Sequence, residues 1–245
     1  MTFRYALMVL LLAVSGLGGA LSFAQAPDAD SHKKKAALLA GSGMLNQAVS
    51  EYTLALEIDP QDAEARYYRA LAYISKEFFT EAIEDLNEVL KQKTTDAGAY
   101  YYRGVAYTQT GQIDLALKDF NAALKLDLKH AKALKARGDI YLNQDRPDRA
   151  LQDYGAALRT DPEDLNLYAQ RAELYIADER YREAVGDYTE ILKRRPDSIA
   201  ALYKRGDLYM VNLKEKSKGC ADYKKACELG KCANYKNAVL TGDCS

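Results

Sequence analysis

The scarcity of tryptophan, proline and histidine limits the fold classes and the functions that this sequence can have. There is no tryptophan, and there are only five prolines and two histidines among 245 residues. So few prolines disfavour a loop-rich all-β protein. The two histidines, His32 and His130, are too few for a metal-binding cluster and give no arrangement typical of a serine triad. A glycine-rich phosphate loop is also lacking. The sequence therefore predicts a protein that is not an enzyme and that needs no metal or cofactor.

An excess of charge of one sign is lacking as well. Lysine and arginine total 34, aspartate and glutamate total 35, and the formal net charge is −1. Nucleic-acid-binding proteins usually carry a basic stripe, so this balance predicts no nucleic-acid partner. Charged residues make up 28% of the chain and apolar residues 48%, which indicates a folded rather than a disordered protein.

Residues 1–24 have the organisation of a secretory signal peptide. Arg4 is the only charged residue, and a long apolar run follows it. Ser22 and Ala24 then occupy the two small-residue positions that signal peptidase requires before its cut. We predict cleavage after Ala24, because a cut after Ala26 would leave a proline as the next residue.

An uncleaved membrane anchor is the alternative for this segment. Glycines interrupt the apolar run, which is near the lower length limit for a spanning helix, and both features favour cleavage. No later apolar run is long enough to cross a bilayer. We therefore expect a periplasmic or secreted protein that has no integral membrane span after cleavage and begins with a flexible tail at residues 25–30.

The rest of the chain is built on a repeat of thirty-four positions. An arginine followed by a small residue recurs at this interval, at Arg69, Arg103, Arg137, Arg171 and Arg205. A tyrosine lies four residues after each, at Tyr73, Tyr107, Tyr141, Tyr175 and Tyr209. A second motif, alanine with a large apolar residue four positions later, recurs in step from Ala48 and Tyr52 onward. Such regularity predicts an array of identical folding units.

Each unit has the length and pattern of two helices. The first is about 13 residues long, as in 96–108, and the second is similar, as in 113–125. Apolar residues three and four positions apart form one buried stripe on each helix. A glycine often marks the turn between the two helices, as at Gly43 and Gly111.

The pattern resembles the tetratricopeptide repeat family, whose motif is aromatic-x2-Leu-Gly-x2-Tyr, then Ala-x3-Phe, then Pro. It is matched here by Tyr100-x2-Arg103-Gly104-x2-Tyr107 and by Ala116-x3-Phe120, with arginine where the family often has leucine. The resemblance extends over about 200 residues. It implies an all-α fold, a right-handed superhelical solenoid of helix pairs, with a concave face that binds segments of other proteins.

The register predicts six units within a repeat domain at 31–245. Their bounds fall near 29–62, 63–96, 97–130, 131–164, 165–198 and 199–232, with a capping helix at 231–240. The first unit is degenerate in its first helix, and the sixth carries one extra residue before Gly219. Atypical end units are expected because they cap the core.

An acidic residue follows each of the five arginines at a nearly fixed distance. The acid lies sixteen positions after the arginine in four pairs and seventeen positions after it in the fifth. The four pairs are Arg69–Asp85, Arg103–Asp119, Arg137–Asp153 and Arg171–Asp187, and the fifth is Arg205–Asp222. We interpret these pairs as a structural ladder, because each arginine adjoins the small residue that marks close helix packing. A partner-binding surface of repeated arginines is the alternative.

Cysteine is absent before Cys220, and three more follow at Cys227, Cys232 and Cys244. Export to an oxidising compartment makes disulfides the expected state. Cys220 and Cys227 are about 10.5 Å apart along one helix, which is too far for a bond. If the capping helix folds back as a hairpin, the nested pairs are Cys227–Cys232 and Cys220–Cys244. The crossed pairing and a metal site are the alternatives, although the spacing is unlike that of zinc sites.

The segment GCADYKKACELGKC also resembles the cysteine-bearing terminal segments of exported bacterial tetratricopeptide proteins and of Sel1-type repeats. This resemblance implies a disulfide-stapled cap and carries no catalytic activity with it.

The family resemblance implies which residues line the concave groove. At 100° per residue, the positions two before and two after each arginine lie opposite the core face of the first helix. The groove candidates are Tyr67, Leu71, Tyr101, Val105, Lys135, Asp139, Glu173, Tyr203 and Asp207. The amino-terminal half is aromatic and aliphatic, and the carboxyl half carries an acidic stripe. Ordinary solvated positions are the alternative, although exposed apolar groups tend to mark binding sites.

We predict an exported scaffold that captures a protein or peptide segment in this groove. The acidic stripe predicts an apolar and basic segment. It argues against the carboxylate clamp of chaperone-binding relatives, which needs basic and amide groups. A structural subunit of a bacterial envelope assembly, for secretion, pilus formation or polysaccharide export, is the alternative, and an enzyme is a remote one.

Overall fold

The computed structural model describes residues 28–244, and every regular element within them is helical. The α-helices of these residues are α1 (Ala29–Gly41), α2 (Leu45–Ile58), α3 (Ala63–Ser75), α4 (Phe79–Gln92), α5 (Ala97–Gln109), α6 (Ile113–Leu126), α7 (Ala131–Asn143), α8 (Pro147–Thr160), α9 (Leu165–Ala177), α10 (Tyr181–Arg194), α11 (Ile199–Asp207), α12 (Lys216–Glu228) and α13 (Ala233–Leu240). The all-α prediction is confirmed. The signal peptide predicted at 1–24 lies outside the described residues.

The helices pair as the repeat register predicts. Odd-numbered helices from α1 to α11 are the first helices of the six units, and even-numbered helices are the second. Each first helix packs against the second helix of its own unit and of the preceding unit. The helices α1, α3, α5 and α7 also contact one another in succession. The first helices therefore lie side by side and form one face of the array.

Each first helix begins at a side-chain cap that recurs in the repeat register. The caps are Asp28, Asp62, Asp96, His130, Asp164 and Ser198, each accepting a hydrogen bond from the backbone N–H three residues later. A cap of this kind satisfies one N–H group that a helix leaves unpaired at its start. Because Asp28 belongs to the series, residues 29 and 30 form the first turn of α1. The flexible tail predicted at 25–30 is wrong at these two positions.

The turn between the two helices of a unit contains one residue with positive φ. These residues are Gly43, Glu77, Gly111, Asp145, Glu179 and Lys214. They follow the repeat register except for the last, which comes one position late, so the extra residue of the sixth unit lies before Lys214. A π-helical turn at Leu208–Asn212 follows α11 and accommodates the added residue.

The small residue beside each arginine lets the two helices of a unit approach closely. A Cβ atom on Gly138 would lie 2.7 Å from Cε1 of Tyr154, and one on Gly104 would lie 2.7 Å from Cε1 of Phe120. Real Cβ atoms do not approach ring carbons this closely, so an added methyl group would displace the ring. Close helix packing, which the sequence predicts at these glycines, is present in the structure.

The carboxyl end forms a cap that is held by two disulfides. Cys220 is bonded to Cys244 and Cys227 to Cys232, with Cα separations of 5.6 and 3.9 Å. The structure thus has the nested pairing rather than the crossed one. The capping helix begins at 233 and not at 231, because Gly230 has a φ of 92° and the next two residues belong to the turn that closes the shorter disulfide loop.

Candidate partner-binding groove

Five arginine–aspartate pairs form a ladder through the array. In each pair, Nε and Nη2 of the arginine donate to the two carboxylate oxygens of the aspartate, at 2.6–2.9 Å. The pairs are Arg69–Asp85, Arg103–Asp119, Arg137–Asp153, Arg171–Asp187 and Arg205–Asp222. The aspartates are buried, and two-point geometry is the strong form of this interaction. Each pair joins the two helices of one unit.

The remaining arginine nitrogen, Nη1, reaches a third helix in four of these five pairs. It donates at 2.6–3.1 Å to a side-chain oxygen 16 residues earlier, on Thr53, Asn87, Asn121 or Thr189. Those oxygens lie on the second helix of the preceding unit, so each of these arginines also links neighbouring units. These partners were not predicted. Each lies sixteen residues before its arginine, and the aspartate usually lies sixteen residues after it, so the repeat register could have located them.

The fifth unit lacks this third contact. Gly155 stands where the other units have threonine or asparagine, and a Cβ atom there would lie 3.5 Å from Nη1 of Arg171. Among the residues described, Arg171 donates hydrogen bonds only to Asp187. Burial raises the pKa of Asp187, although Arg171 opposes this effect. The ladder is therefore least complete at Arg171.

The first unit has a variant of the ladder that its degenerate helix conceals. Lys35 lies one repeat length before Arg69, and Glu51 lies one repeat length before Asp85. Nζ of Lys35 is 2.5 Å from one carboxylate oxygen of Glu51, and Nδ1 of His32 is 2.6 Å from the other. The pair was not predicted, but the repeat register alone would have located it.

The amino-terminal half of the groove is a chain of aromatic rings. Tyr102 links Tyr67 and Tyr101, the two predicted residues, with ring centroids 6.0 and 4.9 Å away. Tyr68 packs against Tyr67 at 5.4 Å, and His130 packs against Tyr101 at 4.9 Å. Tyr68 is 44% exposed, and the other four side chains are partly open to solvent. Tyr68 and Tyr102 were not predicted as groove residues. Each directly follows a predicted groove tyrosine, and this adjacency could have identified them in the sequence.

The two aliphatic groove candidates, Leu71 and Val105, are half-buried. Val105 and Tyr101 also pack against the main hydrophobic core. These side chains therefore contribute to the fold while leaving part of their surface open to solvent. Loss of either one would affect both stability and any binding, so a groove variant needs a separate test of folding.

Tyrosines of the second helices hold the acidic half of the groove. Their hydroxyl groups donate hydrogen bonds to the groove carboxylates in three pairs: Tyr154 with Asp139 at 2.5 Å, Tyr188 with Glu173 at 2.6 Å, and Tyr223 with Asp207. Each tyrosine follows its acid by 15 or 16 residues. This spacing was not recognised in the sequence, where the acids stood without partners.

Lysines contact two of these acids. Lys135 lies 2.9 Å from Asp139, and Lys204 lies 2.9 Å from Glu173. Burial raises the pKa of Glu173, but the Tyr188 hydroxyl and Lys204 outweigh it and hold that pKa below its usual value. Burial and the adjacent carboxylate raise the pKa of Tyr188, so its hydroxyl remains a donor. Glu173 is thus held in its ionised form and fixed in position.

The cap contacts two of the groove candidates, Tyr203 and Asp207. The hydroxyl of Tyr203 donates to the carbonyl of Lys231 at 2.6 Å, and its ring meets that of Tyr223 edge-on at 6.1 Å. Nδ2 of Asn234 lies 3.5 Å from Asp207. Tyr203 is therefore held against the cap and is a less open groove residue than Tyr68.

Between residues 28 and 244, no helix combines the length and apolar character needed to cross a bilayer. The same part of the chain has no group of three or more histidine, cysteine, aspartate or glutamate residues placed to hold a metal ion.

Family models of the tetratricopeptide repeat match most of the chain. One matches residues 97–130, a second matches 131–164, and a third matches 34–97 and 170–230. No curated protein sequence matches the chain at a significant level.

Several solved structures share this fold. A crystal structure of MamA has a TM-score of 0.60 at 23% identity, covering 66% of this chain and 94% of that one. YrrB, reported as a TPR protein with an unusual peptide-binding site, has a TM-score of 0.56 at 26% identity, covering 71% and 90%. PilF of Pseudomonas aeruginosa has a TM-score of 0.67 at 17% identity, covering 87% and 97%. With its regular repeat register and its paired helices, this chain belongs to the tetratricopeptide repeat family and folds as a superhelical solenoid.

Proposed function

We propose that this protein is a non-enzymatic scaffold that captures a segment of another protein in its concave groove. The observation that carries the proposal is the chain of partly open tyrosine rings in units two and three, followed by the carboxylates of units four to six. Aromatic rings offer a large contact area at a low cost in conformational entropy. Such rings commonly dominate the energy of protein interfaces.

The acidic half supports a basic segment as the ligand. Oε1 of Glu173 accepts from both Tyr188 and Lys204, so Oε2 has no partner among the described residues. Asp207 likewise uses Oδ1 for both of its contacts. The tyrosines fix these carboxylates without neutralising them, so lysine or arginine of a ligand can pair with the open oxygens. Asp139 is less available, because both of its oxygens have partners.

The repeat family and one structural neighbour support this proposal. Tetratricopeptide repeats commonly present such grooves to other chains, and YrrB is a structural neighbour with a peptide-binding site. We further propose that residues 1–24 are removed on export and that the mature protein is periplasmic or secreted. Its two disulfides suit an oxidising compartment.

Phage selection of random dodecapeptides against the purified protein tests the proposal. We expect the enriched peptides to combine apolar residues with lysine or arginine. Their affinity should fall as salt rises, because screening weakens the attraction to the acidic stripe. Enrichment of acidic peptides without basic residues would contradict the proposed ligand chemistry.

Variants then locate the binding site of the enriched peptides. Glu173→Gln with Asp207→Asn removes two charges but keeps an acceptor for each tyrosine, and it should weaken binding about tenfold. Tyr68→Ala removes the most open ring and should have an effect of similar size. Asp114→Asn, an exposed residue of α6, is the matched control and should bind as wild type. Equal binding by all variants would exclude the groove and favour the envelope-assembly alternative, with docking on the convex face.

A further inference from the structure

Two adjacent positions on the second helices supply oxygen atoms to positive groups. The first accepts a hydrogen bond from Nη1 of the ladder arginine in the next unit, and it is threonine or asparagine in four units. The second pairs with a lysine three positions later in units two and five, as Glu88 with Lys91 and Glu190 with Lys193. A unit that has both residues therefore gives an acceptor to each of two cations.

Unit four lacks both acceptors. Gly155 and Ala156 occupy the two positions, and neither side chain has an oxygen. Both cations are nevertheless present, because Arg171 is the ladder residue of the next unit and Arg159 lies where units two, three and five have lysine. Unlike the lysines of units two and five, Arg159 has no ion-pair partner within residues 28–244.

The two guanidinium groups converge on the space that Gly155 leaves open. A Cβ atom on this glycine would lie 3.5 Å from Nη1 of Arg171 and 3.6 Å from Nη1 of Arg159. Apart from the residues next to Gly155 in the chain, no other described side chain would come within 4 Å of that atom. Arg159 is exposed and Nη1 of Arg171 is not a buried atom, so solvent reaches both donors. We call this space, bounded by Gly155, Arg159 and Arg171, the arginine notch.

Acids of the described chain do not fill the arginine notch. Both oxygens of Asp187 accept from Nε and Nη2 of Arg171. Both oxygens of Glu190 are bound by cations of its own helix, α10. Asp161, two residues after Arg159, accepts a backbone N–H of the turn that follows α8. Asp187 thus neutralises Arg171, whereas no described residue neutralises the charge of Arg159.

The equivalent place two units earlier shows which groups are missing. It is a cavity of about 700 Å³ in which both acceptors are present. Oδ1 of Asn87 accepts from Nη1 of Arg103 at 2.8 Å, and the carboxylate of Glu88 lies 2.6 Å from Nζ of Lys91. The arginine notch therefore lacks an oxygen for Nη1 of the ladder arginine and a negative charge for the second cation. One carboxylate has two oxygens and one negative charge, so it can supply both.

We propose that the arginine notch is a second binding site and that it takes a carboxylate carried by a partner protein. One oxygen accepts from Nη1 of Arg171, as Asn87 does for its arginine, and the other oxygen pairs with Arg159. The carboxylate belongs either to an aspartate or glutamate side chain or to the end of a chain. All groove candidates lie on first helices, whereas Gly155 and Arg159 lie on α8, a second helix. The site is therefore separate from the groove and does not depend on the proposed function.

Nuclear magnetic resonance titration of the 15N-labelled protein at constant ionic strength tests the arginine notch. N-acetylglutamate α-amide presents a side-chain carboxylate, and N-acetylalanine presents a terminal one. We expect saturable shifts of the backbone N–H of Gly155 and of the Nε–H of Arg171 with at least one of them, and the tighter probe identifies the source of the carboxylate. N-acetylglutamine amide, which has the shape of the first probe without its charge, should bind at least about fivefold more weakly.

Two variants locate the binding of these probes. Gly155→Asn supplies the oxygen from the chain itself, as Asn121 does in unit three, and should abolish the saturable shift of Arg171. Arg159→Gln removes the unneutralised charge and should weaken binding at least about fivefold. Lys125→Gln is the matched control, because Lys125 has the register of Arg159 in a unit whose acceptor is present. It should bind the probes as wild type, and circular dichroism should show that all three variants are folded.

The proposal is overturned if neither carboxylate shifts these signals, if the glutamine probe binds equally well, or if Gly155→Asn binds as wild type. Tighter binding of inorganic phosphate than of either carboxylate would overturn the assignment of the ligand. An equal loss of affinity in Arg159→Gln and Lys125→Gln would mean that the probes respond only to the overall charge of the protein, and this result would also contradict a site at Gly155.

Discussion

The two halves of the groove share one ladder but have opposite chemistry. In units two and three the core residues beneath the groove are Leu86 and Phe120, and the groove is apolar. In units four to six they are tyrosines, and the groove is acidic. A buried hydroxyl without an acceptor costs about 1–3 kcal/mol, which favours an acceptor close to a core tyrosine. The comparison teaches that groove chemistry in this protein is coupled to the composition of the core.

The largest effect should come from removing what the two halves share. Asp119→Ala in unit three and Asp153→Ala in unit four each leave a half-buried guanidinium without its carboxylate. Each should lower the free energy of unfolding by about 3 kcal/mol, as measured by chemical denaturation. Gln152→Ala, an exposed neighbour on α8, is the control and should cost less than about 0.5 kcal/mol. If only one of the two variants lost stability, the ladder would not stabilise both halves of the groove.

The next largest effect on stability should come from replacing a core tyrosine and its groove acid by the apolar core and groove residues of the other half. Tyr154→Phe removes a donor from Asp139, and Asp139→Val leaves the Tyr154 hydroxyl without its acceptor. Each change should cost about 1–2 kcal/mol of unfolding free energy. The double variant recreates the Phe120 and Val105 pair of unit three, and it should recover at least about 1 kcal/mol of the summed loss.

The reverse exchange is the control for this cycle. Phe120→Tyr in unit three should destabilise the protein, and adding Val105→Asp should relieve part of that cost. Thermal or chemical denaturation of the four variants of each cycle gives the coupling energy. Strictly additive losses in both units would mean that the core and the groove vary independently.

A substitution that completes the arginine ladder should stabilise the acidic half. Among the five arginines, Arg171 of this half is the one whose Nη1 has no hydrogen-bond acceptor on the preceding unit. Gly155→Asn should raise the free energy of unfolding by about 1 kcal/mol, by giving Nη1 of Arg171 an acceptor and by improving helix propensity. Gly186→Asn on α10 is the matched control, since a Cβ atom there meets nothing within 4 Å. An equal gain at both sites would mean that propensity alone is responsible.

The sequence predicts the fold well because the repeat supplies many copies of one pattern. The interval between Arg69 and its successors sets the helix pairs, and the acids that follow at a fixed spacing are the partners that the structure shows. The helix caps follow the same register, yet Asp28 was assigned to a tail because the degenerate first helix obscured it. The extra residue of the sixth unit was predicted before Gly219, and the structure narrows its place to the segment before Lys214, because a helix can accommodate an insertion at any of several turns.

The groove was harder to predict than the fold. Helical angle identifies Asp139 and Glu173 as groove residues, but it does not show that Tyr154 and Tyr188 reach them from another helix. Such contacts depend on the distance between helix axes and on the direction of the side chains. The sequence pattern of a single helix determines neither of them. The same is true of Tyr203, which the angle places in the groove and the structure places against the cap.

The smallest effect should appear in the pH dependence of stability that Glu173 of the acidic half contributes. The Tyr188 hydroxyl and Lys204 hold the pKa of Glu173 below its usual value in spite of burial. A lowered pKa in the folded state means that the carboxylate contributes stability above its unfolded pKa. That contribution is lost as pH falls through the folded pKa. The effect is small because Glu173 is half exposed and water screens its contacts.

Glu173→Gln isolates this contribution, because glutamine still accepts the Tyr188 hydroxyl but cannot be ionised. Wild type should be the more stable of the two at neutral pH, and the difference should shrink as the solution is acidified. Glu84→Gln, an exposed glutamate of α4 in the apolar half, controls for the loss of one charge. Chemical denaturation at a series of pH values measures all three proteins. If the advantage of wild type grew toward acid pH, the carboxylate would be stabilised in its neutral form, and the ionised state inferred for Glu173 would be wrong.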